Sequence, residues 1–153
     1  VATPPTWVPT VAQVAGYIPT RTKELRSTRY LDTFTDATRP TAVQVTAIAA
    51  DAARRVKSAV GPEMPERLED SAGIAAAILA AAWIERAYFP EQLETDRSAY
   101  DALMAEYDKE LALLISATAE GTEDPGDGGT VITSGMPAYG FPAVGAPASG
   151  VRW

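Results

Sequence analysis

The chain has 153 residues, 46% of them hydrophobic, and its 13 Lys/Arg against 20 Asp/Glu give a net charge of -7. With neither cysteine nor histidine, it excludes disulfides, thiolate and imidazole catalysis, a Ser-His-Asp triad and the usual zinc ligand sets. The length suits one domain with an appendage. A soluble, non-secreted protein is expected, because Val1 to Trp7 lacks a basic start and an apolar run, and the uncharged apolar stretch Ala72 to Ile84 falls short of the about 20 residues a membrane span needs.

The body, residues 1–120, reads as an all-α small helical bundle of three long helices and a short N-terminal one. The short helix is expected over Thr10 to Gly16, with Thr10 as its cap, Val11 and Val14 as its apolar side and Gly16 closing it. A long connection follows from Tyr17 to Arg39, with a brief extended segment at Tyr30 to Thr35. Arg21, Lys23, Arg26, Arg29 and Arg39 crowd this connection. Glu24, Asp32 and Asp36 interleave with them and no aromatic stacking platform accompanies them, so a solvated loop is the preferred reading over a nucleic-acid contact.

The second helix begins at Thr41, where Thr41 and Gln44 make a capping box after Pro40, and Gly61-Pro62 ends it. Its apolar face is Val45, Ile48, Ala49, Ala52, Val56 and Ala59. The third helix is expected from Glu66 to Tyr88, stopped by Pro90, with an acidic first turn that suits the helix dipole. Its middle is apolar on every side, which places it at the bundle centre. The fourth, about Thr95 to Ala117, aligns Tyr100, Leu103, Met104, Tyr107, Leu111 and Leu114 on one stripe. Leu113 and Ile115 widen that stripe, as a subunit interface would, although a short loop folding back would use the same residues. Its outer face carries Glu106, Asp108 and Glu110. Trp83, Tyr88, Tyr100 and Tyr107 read as core aromatics.

Residues 121–153 form a second region, an extended Gly/Pro-rich arm with eight glycines and four prolines. Glycine recurs at 135, 140, 145 and 150 and Pro-Ala at 137, 142 and 147, a pattern that neither a helix nor a central strand tolerates. Fixing such a backbone costs roughly 1 to 2 kcal/mol per residue, more than its scattered apolar side chains return. The arm therefore needs a partner. Thr130 to Thr133, with Val131 and Ile132, is its one strand-like run, suited to joining another chain's sheet. Met136, Tyr139, Phe141, Val144 and Trp153 are spaced anchors for a partner surface. Trp7, outside the periodic segments at the other end, is expected to anchor against a neighbouring subunit.

No motif supplies chemistry, and no catalytic residue, cofactor or metal site is assigned. The turn at 124–129 lacks EF-hand spacing, no Gly-Lys-Ser/Thr follows its glycines, and Glu91, Glu94 and Asp96 read as solvated helix-end charge. The charge is polar along the chain: residues 1–84 hold nine Lys/Arg and eight Asp/Glu (net +1), residues 85–153 four and twelve (net -8).

Three segments, Val11-Ala-Gln-Val-Ala-Gly-Tyr-Ile-Pro-Thr-Arg21, Phe34-Thr-Asp-Ala-Thr-Arg-Pro-Thr-Ala-Val-Gln-Val45 and Ala82-Trp-Ile-Glu-Arg-Ala-Tyr-Phe-Pro-Glu-Gln92, resemble the head-to-tail adaptor (connector) proteins of long-tailed phages infecting actinobacteria. The likeness covers roughly residues 8–118; the basic connection and the repetitive arm depart from it. The resemblance implies a structural virion protein without enzymatic activity, forming a ring of usually twelve copies below the portal of the filled capsid. It implies a portal protein as one partner, the next neck or tail protein as another, and genomic DNA passing the channel without sequence-specific binding. Its place would be the virion neck, and the host cytoplasm during assembly. On this reading the arm binds the portal and Glu106, Asp108 and Glu110 face the channel. The alternatives are another neck or tail-completion protein, or a helical DNA-binding packaging module using Arg21 to Arg39 and Arg54 to Lys57.

Overall fold

Why four helices form, and why one of them sits at the centre, follows from caps and from side-chain size. The computed structural model describes residues 5–62, 64–92 and 99–120. Among them are α1 (Val11–Tyr17), α2 (Ala42–Val60), α3 (Glu69–Tyr88) and α4 (Ala99–Glu120), with 3-10 turns at Pro19–Arg21, Glu66–Leu68 and Pro90–Gln92. The described residues form an all-α bundle with no strand.

Both α1 and α2 open on a complete capping box. Thr10 and Thr41 accept from the backbone N–H of Gln13 and Gln44, whose side chains accept in return from the cap residues' N–H groups. At the end of α2, Gly61 takes φ 107, a left-handed conformation that a side chain would strain, and its N–H bonds to the Lys57 carbonyl at 3.0 Å. Gly16 does not end α1: the helix runs through it to Tyr17, and Ile18 closes it by donating to the Ala15 carbonyl at 3.1 Å. Nor is Tyr30 to Thr35 an extended segment. The backbone there pairs at an isolated bridge, Tyr30 with Lys23, beside the Leu31 N–H on the Thr22 carbonyl, and Asp32 sits at φ 58, which breaks any strand.

α3 packs against α1, α2 and α4. Its Ala72, Ala75, Ala76, Ala80, Ala81 and Ala82 are fully buried, and among them Ile78 and Ile84 supply the bulk. Methyl groups on so many sides let three helices approach one axis closely. The expected third-helix start resolves into two parts, the 3-10 turn at Glu66–Leu68 and then the α-helix. Arg67 in that turn donates to the Ala117 carbonyl at 3.2 Å, placing a cation on the negative end of α4.

Most of the α2 and α4 stripes are inward as the spacing predicts, with Val45, Ala49, Ala52, Val56, Leu103, Tyr107 and Leu114 buried. Ala59 is exposed, while Val60 beside it packs against the core. Tyr107 is buried, while Trp83, Tyr88 and Tyr100 are half-buried against the core. α4 continues to Glu120, and the part of its expected start at residues 95–98 lies outside the described residues.

Two outcomes follow. Thr41→Ala removes an N-cap and is expected to cost about 1 kcal/mol in urea unfolding. Ala76→Leu overfills the closest-packed part of the bundle and is expected to cost about 1–3 kcal/mol or more, with a lowered thermal midpoint.

Candidate functional site

Residues 18–41 fold into a lobe on the end of the bundle, built almost entirely from hydroxyl and backbone groups. The Arg21 N–H bonds to the Ile18 carbonyl at 2.9 Å, and the fully buried Thr22 hydroxyl donates to the Pro19 carbonyl at 2.8 Å. Further along, the Leu31 N–H reaches the Thr22 carbonyl at 3.2 Å, and the Leu25 N–H reaches Ala37 at 2.9 Å. Thr38 is the hub of the lobe's second half. Its buried hydroxyl accepts from the Thr35 N–H at 3.0 Å and lies 2.7 Å and 2.9 Å from the Pro40 and Thr35 carbonyls, donating its one proton to either. Phe34 and Pro40 are the lobe's buried apolar anchors.

One ion pair fastens this lobe to the bundle. Arg21 Nε donates to Glu85 Oε1 at 2.7 Å and Arg21 Nη2 to Glu85 Oε2 at 2.8 Å, a two-pronged contact between side chains 13% and 3% exposed. The Arg21 guanidinium also lies 4.0 Å from the centroid of the Phe89 ring. A planar cation is thus held on one edge by carboxylate and on one face by π density. Neither half of the pair stands out in a charge count. Glu85 was nonetheless detectable, as a lone carboxylate ending the apolar run of α3, where burial demands a buried cation.

Beside the pair opens a cleft of about 420 Å³, lined by Arg21, Lys23, Ser27, Tyr30, Arg39 and Phe89 among others. Lys23, Arg26, Arg29 and Arg39 are exposed and form no ion pair among the described residues. The other described pair is Arg54 with Asp51, one turn apart on α2.

The remaining expected site residues are scattered. Glu106 and Glu110 lie on the flank of α4 near α1. There Tyr17's phenol is pushed above its ordinary value, by burial first and then by Glu106 and Glu110. Asp108 is on the other flank, where it borders with Arg55 a groove of about 400 Å³ floored by Leu79, Trp83 and Tyr107. Tyr107 is also raised, by burial first, with Arg55 opposing and Asp108 adding. At about 100° per residue, Asp108 is turned roughly 200° from Glu106, so the three carboxylates do not make one wall. Leu113 and Ile115, 57% and 45% exposed, are separated in the same way. Trp7 is half-buried against its own core, and its carbonyl lies 3.2 Å from where a Cβ on Gly73 would stand. Its ring packs against this chain's own core and stays half exposed. Val131, Ile132, Met136, Tyr139, Phe141, Val144 and Trp153 lie outside the described residues, as do Glu94 and Asp96.

Among the described residues no group of three acidic residues is placed to hold a metal ion, and no helix is long and apolar enough to cross a membrane. Comparison with known proteins returned no matching family model, curated protein or solved structure.

Phe89→Leu removes the ring beneath Arg21 and is expected to cost about 0.5–2 kcal/mol in urea unfolding. For Tyr17 the folded value lies above the unfolded one, so its contribution is complete below the ordinary tyrosine value and is lost as pH rises through the folded one. Glu106→Gln with Glu110→Gln is expected to bring the Tyr17 titration, followed by ring-carbon NMR, part of the way back toward that ordinary value.

Proposed function

We propose that this chain is a non-enzymatic virion-assembly subunit, a head-to-tail adaptor whose copies form a ring below the portal of a filled capsid. One observation carries the reading: the three segments that resemble such adaptors meet in space. Arg21 of the first, Arg39 of the second and Phe89 of the third line one cleft, and the Arg21–Glu85 pair joins the first segment to the third. A likeness produced by helix composition alone has no reason to gather its residues at one corner of the fold. The body also fits the task physically, since it is a helical bundle with a lobe and cleft at one end.

In this reading the ring, of about twelve copies as in the adaptors it resembles, joins the portal to the next neck or tail protein. DNA passes through its channel without being read. The arm, residues 121–153, is the portal-binding element. Val131 and Ile132 supply strand pairing, and Met136, Tyr139, Phe141, Val144 and Trp153 fill pockets, with prolines lowering the entropy lost on docking. The protein would reside in the virion neck after assembly in the host cytoplasm.

The test mixes the full-length protein with the portal of a long-tailed actinobacteriophage and measures mass and negative-stain images. Rings capping the portal are expected, and Phe141→Ala with Trp153→Ala should weaken binding by about tenfold or more, equal to about 1.4 kcal/mol. No portal binding, or equal binding by the double variant, contradicts the reading.

A further inference from the structure

The lobe carries an exposed aliphatic side chain, a knob with cations and carboxylates around it, and the far end of the bundle carries an apolar socket bordered by Glu110. At the lobe's tip, Leu25 and Arg26 occupy the corners of a turn closed by the Ser27 N–H on the Glu24 carbonyl at 3.3 Å. The Leu25 N–H is itself pinned to Ala37. Leu25 is nevertheless 65% exposed, an aliphatic side chain held in water by a fixed backbone. Lys23, Arg26 and Arg29 lie near it in sequence, all exposed.

The socket is a cavity of about 170 Å³ between the start of α3 and the last turns of α4, walled by Leu68, Leu113, Leu114 and Ala117 with Ser71 and Glu110 also lining it. Leu113, at its mouth, is 57% exposed. Glu106 precedes Glu110 by one turn on the same flank, so the α4 flank of the socket is negative, while Arg67 at its other rim is engaged with the Ala117 carbonyl. Glu85 beneath the lobe and Ser71 at the socket lie on one helix, and the rise of about 1.5 Å per residue separates them by on the order of 20 Å. A chain therefore cannot seat its own knob. Two different patches that fit each other across copies make a heterologous contact, which generates a ring when the rotation closes.

We propose that Leu25 of one copy enters the Leu68–Leu113 socket of the next, with Lys23 and Arg26 set against Glu106 and Glu110. The contact deepens the ring reading above and rests on it. Nucleic acid is the lesser fit to the lobe: Glu24 and Asp36 stand among its cations, a phosphodiester offers nothing to Leu25, and the chain as a whole carries -7. One aliphatic knob with exposed ion pairs makes a weak pairwise contact, and so one that accumulates when a portal holds copies side by side.

Because the chain has no cysteine, disulfide trapping tests this cleanly in the full-length protein, and it captures even transient contacts. Leu25→Cys and Leu113→Cys chains, both altered at exposed positions and checked for unchanged helicity, are mixed at high concentration under mild oxidant. A mixed dimer in several-fold excess over either like pair is expected. Arg26→Glu with Lys23→Glu on the first chain should abolish it, and Glu106→Arg with Glu110→Arg on the second should restore it. No mixed dimer, or random pairing, overturns the contact. Salt-dependent duplex binding by the wild-type lobe without the mixed dimer also overturns it and assigns the lobe to nucleic acid. Portal-capping rings without the mixed dimer retain the adaptor and retire this contact, whereas the mixed dimer without portal binding does the reverse.

Discussion

An arginine from the end of a short 3-10 turn and a glutamate from the end of the central helix are taken out of water together, and the placement of the lobe depends on that pair. Removing two ions from water costs several kcal/mol each after relaxation, and their attraction offsets this only where geometry is good and the remaining hydrogen-bonding capacity is used. Arg21 and Glu85 meet through two nitrogens and two oxygens at 2.7 and 2.8 Å, over an aromatic face. The net gain in stability from such a pair is small. Its effect is positional. The lobe has no helix longer than a 3-10 turn, and beside its buried Ile18, Phe34 and Pro40 the pair is the charged tie that orients it to α3.

The rest of the bundle is arranged so that nothing competes with this. α3 fills the centre with methyl groups and two isoleucines, and α1, α2 and α4 close around it. No buried side-chain nitrogen or oxygen among the described residues lacks a hydrogen-bond partner. A core so nearly free of polar groups supplies rigidity. Beyond the buried Thr22, Thr38 and the Arg21–Glu85 pair, the polar and charged side chains of the described residues reach the surface.

The starts of α1 and α2 and the α2 stop were legible because they rest on local chemistry. Thr41 with Gln44, and Gly61 before Pro62, act within a few residues of themselves, and α3 announced its central position by being apolar all round. The box at Thr10 and Gln13 is equally local, and Gly16 is no stop since glycine inside a short helix costs only about 1 kcal/mol. The lobe was opaque for a different reason: its order comes from threonine hydroxyls and backbone bridges, which leave no periodicity. Glu85 is visible as a lone carboxylate in an apolar run, but its pairing with Arg21 is not, because the two are far apart in sequence. Glu106, Asp108 and Glu110 looked like one surface only because linear proximity was read without the helical turn. Trp7, an aromatic residue beside prolines at a chain end, packs against the chain's own core and stays half exposed.

The central claim is that the buried pair holds the lobe as a fixed docking element, and amide hydrogen exchange on the full-length protein tests it most directly. In the wild type the Leu25 and Leu31 N–H groups, bonded to Ala37 and Thr22, should be protected. Glu85→Gln keeps the side chain's shape and removes its charge. The account predicts that these lobe amides lose protection by about tenfold or more, equal to about 1.4 kcal/mol of local stability, while amides of α2 and α4 lose less. Unchanged protection in the lobe, or the same loss in every helix, would contradict it.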